Sequence, residues 1–144
     1  MRLADLDPAG WRTLSMSMSL PAAYWCVLIA ALLPFVWVGV AKWGSHYNNA
    51  TPRDPELYQG HRRRAHDAHK NAFEALPFFV GAVALALQFG GGRGPLLDVL
   101  CVAWILLRIG HGLAYLTDRA TLRSLIWVAA LAVNIAIFLT PALT

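Results

Sequence analysis

Long runs without charge divide the chain. Residues 13–41, 75–92 and 124–144 contain no Asp, Glu, Lys or Arg. A fourth run, from Pro95 to Leu116, is apolar except for Asp98 at its start and then Arg108 and His111. A helix needs about 20 apolar residues to cross the hydrocarbon core of a bilayer, and each run supplies roughly that number. Backbone polar groups in lipid must be satisfied within the segment, so four spanning helices are the economical reading. The first is expected from Pro21 to Lys42 with Pro34 inside it, and the second from near Gly60 to beyond Leu87. The third is expected from Leu96 to Leu116, and the fourth from Arg123 to about Leu139. Trp25, Trp37 and Trp43 fall near the ends of the first helix and read as interfacial anchors. The Asn-, Pro- and Gly-rich stretch from His46 to Gly60 reads as a loop, and Gly90 to Pro95 as a short turn. Asp118, Arg119 and Thr121 make a second tight turn. Short connections put successive helices antiparallel, which predicts an all-α, integral membrane, four-helix up-and-down bundle.

Composition sharpens this picture. The chain has 144 residues, 58% of them hydrophobic and 14% charged, and its mean hydropathy is +0.50. Soluble domains run at about 25% charged residues, so a soluble protein is excluded. The length predicts a single domain over residues 1–144, with residues 1–15 as a short tail or a misassigned start before Met16 and Met18. The stretch MRLADLDPAGW lacks the basic segment and cleavage site of a signal peptide. The net charge of +4 does not point to nucleic acid, because its placement has another explanation. Lys42, Arg53, Arg62, Arg63, Arg64, Lys70, Arg119 and Arg123 fall between helices one and two or three and four. Arg2, Arg12 and Arg93 fall on the other side. The positive-inside rule then puts the first and third loops in the cytoplasm and both termini outside it. The expected location is a bacterial inner membrane, where Arg62-Arg63-Arg64 also meets anionic lipid.

Other signals carry less. Cys26 and Cys101 both lie in apolar runs and read as small buried hydrophobes. His61, His66 and His69 cluster without the further ligands that a zinc or di-iron site needs, so no metal is expected. Asn49-Ala50-Thr51 matches a glycosylation triplet on the wrong side of the membrane for use. Asn134 shares a helix face with Arg123, and an interhelical hydrogen bond is its expected role.

Ionisable groups within spans cost about 2.5–3.5 kcal/mol each on insertion scales and therefore need a reason. Arg108, His111 and Tyr115 lie at i, i+3 and i+7, on one face of helix three. Arg64, Asp67, Asn71 and Glu74 share a face at the start of helix two, and Arg123 with Ser124 opens helix four. Antiparallel packing brings these ends together. One account is purely structural, with Arg108 paired to Glu74 or Asp67 across the helices and the rest snorkelling to the interface. The other is a pocket in which arginine forks hold the carboxylates of a small ligand, Glu74 accepts from its ammonium and Asn71 satisfies an amide. Such an inventory fits a peptide-like zwitterion better than a phosphate, which Glu74 and Asp67 would repel. A side open to lipid would admit an apolar second substrate. No Ser/His/Asp or Cys/His nucleophile pair is present, so the reactive atom would come from the ligand.

Arg64, Asn71, Glu74 and Pro77 together read R-x6-N-x2-E-x2-P, which resembles the signature of the membrane-associated proteins in eicosanoid and glutathione metabolism, the MAPEG family. Arg108, His111 and Tyr115, followed by Arg123-Ser124, are similar to the helix-three and helix-four pattern of its prostaglandin E synthase branch. The resemblance covers about residues 21 to 140. It implies a homotrimer that binds glutathione between protomers near the cytoplasmic face, with Arg64, Asn71, Glu74, Arg108, His111 and Tyr115 holding it. Arg123 would stabilise the glutathione thiolate, with Ser124 as a hydroxyl donor. The implied activity is a glutathione-dependent transferase or peroxidase acting on lipophilic electrophiles or hydroperoxides from the membrane. Two positions depart from the pattern. Asp67 stands where many eukaryotic members carry Arg, and the Tyr115-to-Arg123 spacing is one residue shorter than in the prostaglandin branch. The alternative implied by the same fold is a non-catalytic membrane subunit that scaffolds a partner protein.

Overall fold

A computed structural model describes residues 21–44, 48, 50–51, 58–90 and 95–143. The tail at 1–15, Asn49 of the glycosylation triplet and most of the turn after Gly90 lie outside the described residues. Four helices follow one another, α1 (Ala22–Lys42), α2 (His61–Gln88), α3 (Pro95–Leu116) and α4 (Ala120–Leu143). All four are long and apolar enough to cross a membrane, and they pack up-and-down as a multi-pass bundle. At 1.5 Å per residue the 28 residues of α2 extend about 42 Å, more than a hydrocarbon core of about 30 Å. Its polar first turns therefore project beyond the apolar layer.

The packing follows from small residues at helical spacing. The buried stripe of α1 is Ala23, Cys26, Ala30, Leu33, Trp37 and Ala41, and that of α2 begins Ala65, Ala68, Ala72. In lipid there is little hydrophobic force between helices, so close backbone approach across small side chains supplies the contact energy through dispersion. α1 packs on α2 and α3, while α4 packs on α3 and α2. Phe79 of α2 and Trp104 of α3 stack face to face at the centre, with ring centroids 3.8 Å apart and planes at 7°. Outward-facing residues such as Phe35, Val99, Leu106 and Leu125 are large, apolar and exposed, as a lipid-facing surface requires. Both cysteines are free thiols in the core.

Local details depart from the sequence expectation for physical reasons. α4 begins at Ala120 rather than Arg123 and runs on to Leu143 through Pro141. Proline has no N–H for the carbonyl four residues back, which here is that of Ile137. The Thr140 hydroxyl donates to that carbonyl at 2.7 Å, so the break is repaired within the helix and the helix continues. Trp25 and Trp43 are exposed, but Trp37 is not the interfacial anchor that its position suggested, being only 5% exposed. Its indole packs against Gly112 of α3, where a Cβ would collide with the ring. On α1, the carbonyl of Pro34 accepts from His69 Nδ1 of α2 at 2.8 Å, which ties the two helices at that level.

The Trp37–Gly112 contact yields a test. Gly112→Ala should lower unfolding stability in detergent by about 1–3 kcal/mol through overpacking, and Trp37→Leu in the same chain should restore much of it. Gly81→Ala, which meets nothing within 4 Å, serves as the comparison. Equal stability of the two alanine variants would refute the close contact.

Candidate functional site

Around the α3–α4 turn the helix ends gather the polar side chains. Thr117 N–H bonds back to the Leu113 carbonyl and Arg119 N–H to that of Ala114. Asp118 takes a left-handed backbone conformation with φ 58°, which Asp tolerates better than most residues. The chain thus reverses in three residues and sets Arg123 of α4 beside Tyr115 of α3. The Arg123 guanidinium lies over the Tyr115 ring, 4.5 Å from its centroid. Tyr115 in turn meets His111 edge-on, with centroids 5.2 Å apart.

Among the described residues Arg108 is the most buried of the Asp, Glu, Lys and Arg side chains, at 3% exposure. Its Nη2 donates to the Asn71 side-chain oxygen at 2.7 Å and to the Asn71 backbone carbonyl at 3.0 Å. Its guanidinium also lies 5.8 Å from the Trp104 ring centroid. The Asn71 amide nitrogen donates onward to Glu74 Oε2 at 3.4 Å. The structure therefore corrects the purely structural account, because Arg108 pairs with neither Glu74 nor Asp67. Asparagine offers two acceptors at once, one of them on the backbone, while Asp67 is taken by Arg63 at 3.4 Å.

Three cavities open beside this chain of groups, and Asn71 lines all of them. One, of about 360 Å³, is bounded by Asp67, Lys70, Glu74, Tyr115 and Arg123. The next, of about 190 Å³, is bounded by His111, Tyr115, Arg123, Ser124 and Trp127. The third lies deeper, beside Arg108 and Trp104. Seven of the eight residues picked out in the sequence thus converge on one connected region: Asn71, Glu74, Arg108, His111, Tyr115, Arg123 and Ser124. Arg64 does not join them. Its Nε donates to the Leu116 carbonyl at 3.4 Å and its Nη1 pairs with Asp118 at 3.6 Å. A cation there meets the negative end of the α3 dipole, which explains its retreat from the shared face. The Ser124 hydroxyl donates to the Ala120 carbonyl one turn back, at 3.2 Å.

With this geometry in view, comparison with known proteins is decisive at the level of family. The MAPEG family matches residues 22–143. The chain belongs to the MAPEG family. Neither the curated proteins nor the solved structures give a match. The MAPEG match spans all four helices, so the polar region belongs to the family domain rather than to an appended segment. Among the described residues, no three His, Cys, Asp or Glu side chains stand together as a metal site would require.

Sequence reasoning missed the walls. Trp127 lines two of the cavities and Trp104 the deepest. Both were within reach, since Trp127 is four residues after Arg123 and Trp104 four before Arg108, hence on the same faces. Asn134 was placed on the correct face, but its Oδ1 is buried without a hydrogen-bond partner among the described residues.

The Arg108–Asn71 bond predicts a non-additive pair. Asn71→Leu should cost about 1.5–3 kcal/mol of unfolding stability, as expected for a hydrogen bond to a charged group. Adding Arg108→Met should recover most of that loss, because an apolar pair replaces a buried ion without a partner. Additive losses in the double variant would show that the two side chains do not depend on each other.

Proposed function

We propose that the protein is a membrane-embedded, glutathione-dependent transferase or peroxidase, and that it works as a homotrimer with the site near the cytoplasmic face. The observation that carries this reading is the convergence of Arg108, Asn71, Glu74, His111, Tyr115, Arg123 and Ser124 on connected cavities at one end of a MAPEG bundle. The donor set suits the tripeptide. Guanidinium groups meet carboxylates by forked hydrogen bonds, Glu74 offers an acceptor for the ammonium, and the acids beside it disfavour a phosphate. Glu74 and Ser124 are exposed in the protomer, at a level where lipid would leave them without partners. A second copy covering this face relieves that cost and would bring its own Arg64 to the ligand from outside.

Bound glutathione supplies the chemistry, a thiolate that adds to a lipophilic electrophile or reduces a hydroperoxide. The chain's part is to make the thiolate available. A free thiol titrates near 8.5 and is only a few per cent ionised at neutral pH. Lowering that value by about two units takes about 2.7 kcal/mol of preferential stabilisation of the anion. Arg123 is suited to give it. Its guanidinium rests on the Tyr115 ring, and among the described residues it forms no ion pair, so its donors remain for an anion in a site of low dielectric. Ser124 stands one residue on and lines the same cavity, where it adds a hydroxyl beside the sulfur once it turns from the Ala120 carbonyl. The Trp127 wall leads from this point toward the apolar surface, which is the route for the second substrate.

The test is a glutathione titration of the purified protein at neutral pH, following ultraviolet thiolate absorbance. Saturable thiolate formation is expected. Read across pH at saturating glutathione, the midpoint of thiolate formation in Arg123→Ala should move up by about two pH units, with binding of the tripeptide largely kept. Unchanged thiolate formation in that variant would refute the role of Arg123, and no binding in the parent would refute the glutathione reading.

A further inference from the structure

The end of the bundle away from the polar site holds a second arrangement of reactive side chains. In an up-and-down bundle α1 and α3 run in the same direction, and here they pack on each other. The Ala23 N–H at the start of α1 donates to Asp98 Oδ1 of α3 at 2.7 Å, across a separation of 75 positions. About four turns further on, Trp37 of α1 packs against Gly112 of α3 with the same separation. Ala41 and Leu116, spaced alike, belong to one packed group at the far end of the seam. Parallel helices that rise 1.5 Å per residue stay level when the offset between them stays constant. The register of α1 against α3 is therefore held over about 27 Å.

Cys26 and Cys101 keep that separation too. Cys26 follows Ala23 by three residues and Cys101 follows Asp98 by three, so each lies on the seam one turn in from the bonded pair. The seam advances by three and then four residues, through Ala23, Cys26 and Ala30 on α1 and Asp98, Cys101 and Ile105 on α3. In a parallel pair with that repeat, facing residues meet layer by layer, and the two cysteines share a layer. Ala23 and Ala30 on either side are small, which lets the backbones approach closely. Both thiols are buried in one cluster, at 4% and 0% exposure, and they lie within electrostatic reach of each other. A disulfide needs Cα atoms about 4.4–6.8 Å apart, which level residues on a close seam can meet. The chain has two cysteines, and both stand in this layer.

We propose that Cys26 and Cys101 form an oxidation site, a dithiol that closes to a disulfide clamping α1 on α3. The structure shows its reduced form. Burial in an apolar core keeps charged oxidants out, so the reagent class is an uncharged hydroperoxide dissolved in the bilayer. One sulfur attacks the O–O bond and becomes a sulfenic acid, and its thiol proton leaves on the alkoxide as an alcohol. The second sulfur then displaces the hydroxyl, which departs as water with the second thiol proton. Two thiols thus lose two electrons and two protons, and the hydroperoxide becomes an alcohol and water. The residues joined are already level, so closure leaves α3 in place with Arg108, His111 and Tyr115 toward its other end. The site does not depend on the glutathione reading.

The experiment exposes the full chain in lipid nanodiscs to cumene hydroperoxide, then denatures it and labels free thiols with a polyethylene glycol maleimide. The untreated chain should take two labels, and the treated chain none, with both restored by dithiothreitol. Mass spectrometry should find the peptides containing Cys26 and Cys101 joined within one chain. Cys26→Ser and Cys101→Ser should each keep one label after the same exposure. Cys101→Ala combined with Leu100→Cys turns the thiol about 100° off the seam and should abolish closure. Val102→Cys replaces Leu100→Cys should that variant not fold. Two labels remaining after the hydroperoxide, and again after copper phenanthroline as a second oxidant, would overturn the proposal. A disulfide formed between chains, one that still forms off the seam, or label loss without joined peptides would overturn it as well.

Discussion

A guanidinium in the interior of a membrane bundle sets the terms for the rest of this structure. Arg108 cannot lose its proton, and at 3% exposure it cannot reach water. It must be held by acceptors from a neighbouring helix, and Asn71 provides two from one residue. That requirement fixes the register of α2 against α3 more tightly than apolar packing could, since apolar contacts in lipid are interchangeable. Once the register is fixed, Phe79 falls on Trp104 and the stacked pair fills the centre. The Asn71 amide, its oxygen committed to Arg108, turns its nitrogen to Glu74. The orientation of the acid at the cavity mouth thus descends from the placement of one buried cation.

The arrangement separates two arginines that the sequence presents as equivalents. Arg108 gives its Nη2 to both acceptors of Asn71 and acts as part of the frame. Arg123 sits on the open edge of α4, where no residue from Ala120 to Ala129 is buried, and rests on an aromatic face rather than on an acid. A ring face holds a guanidinium in place without neutralising it. The first cation is thus tied into the bundle, while the second is held without an acid to neutralise it among the described residues. Arg63 and Arg64 illustrate the opposite outcome, each drawn to an acid close by.

The helices were legible because lipid imposes the same demand on every spanning segment, so that charge-free runs mark them regardless of tertiary detail. The family signature was legible because Arg64, Asn71, Glu74 and Pro77 keep their spacing along one helix. What escaped notice depends on contacts between helices. Trp37 looked like an interface residue until Gly112, on another helix, was seen to make room for it. The fourth helix was expected to end at about Leu139, and the Thr140 hydroxyl at the Ile137 carbonyl shows how it persists through Pro141. Of the two accounts of Arg108, the one that paired it with Glu74 or Asp67 fails because charge complementarity ranks carboxylates first, whereas geometry favours a neutral side chain with a backbone carbonyl beside it. Arg64 shared the periodicity of Asn71 and Glu74, yet the carbonyl end of α3 drew it away.

The deepest cavity follows from the same logic of unequal residues at helical spacing. Ala75 and Ala130 leave space where larger neighbours would close it, and Trp104 and Trp127 bound that space with flat rigid walls. Bundles in lipid normally eliminate such volume, because packing is the main attraction their helices have. Keeping it forfeits the dispersion contacts that a larger side chain would make. A larger apolar residue at 130 would recover those contacts. The structure instead keeps a small residue there, one wall away from Arg123. The space adjoins the polar compartment through Asn71 and Trp127, and its lining passes from Glu74 and Arg108 to Trp104 and Trp127.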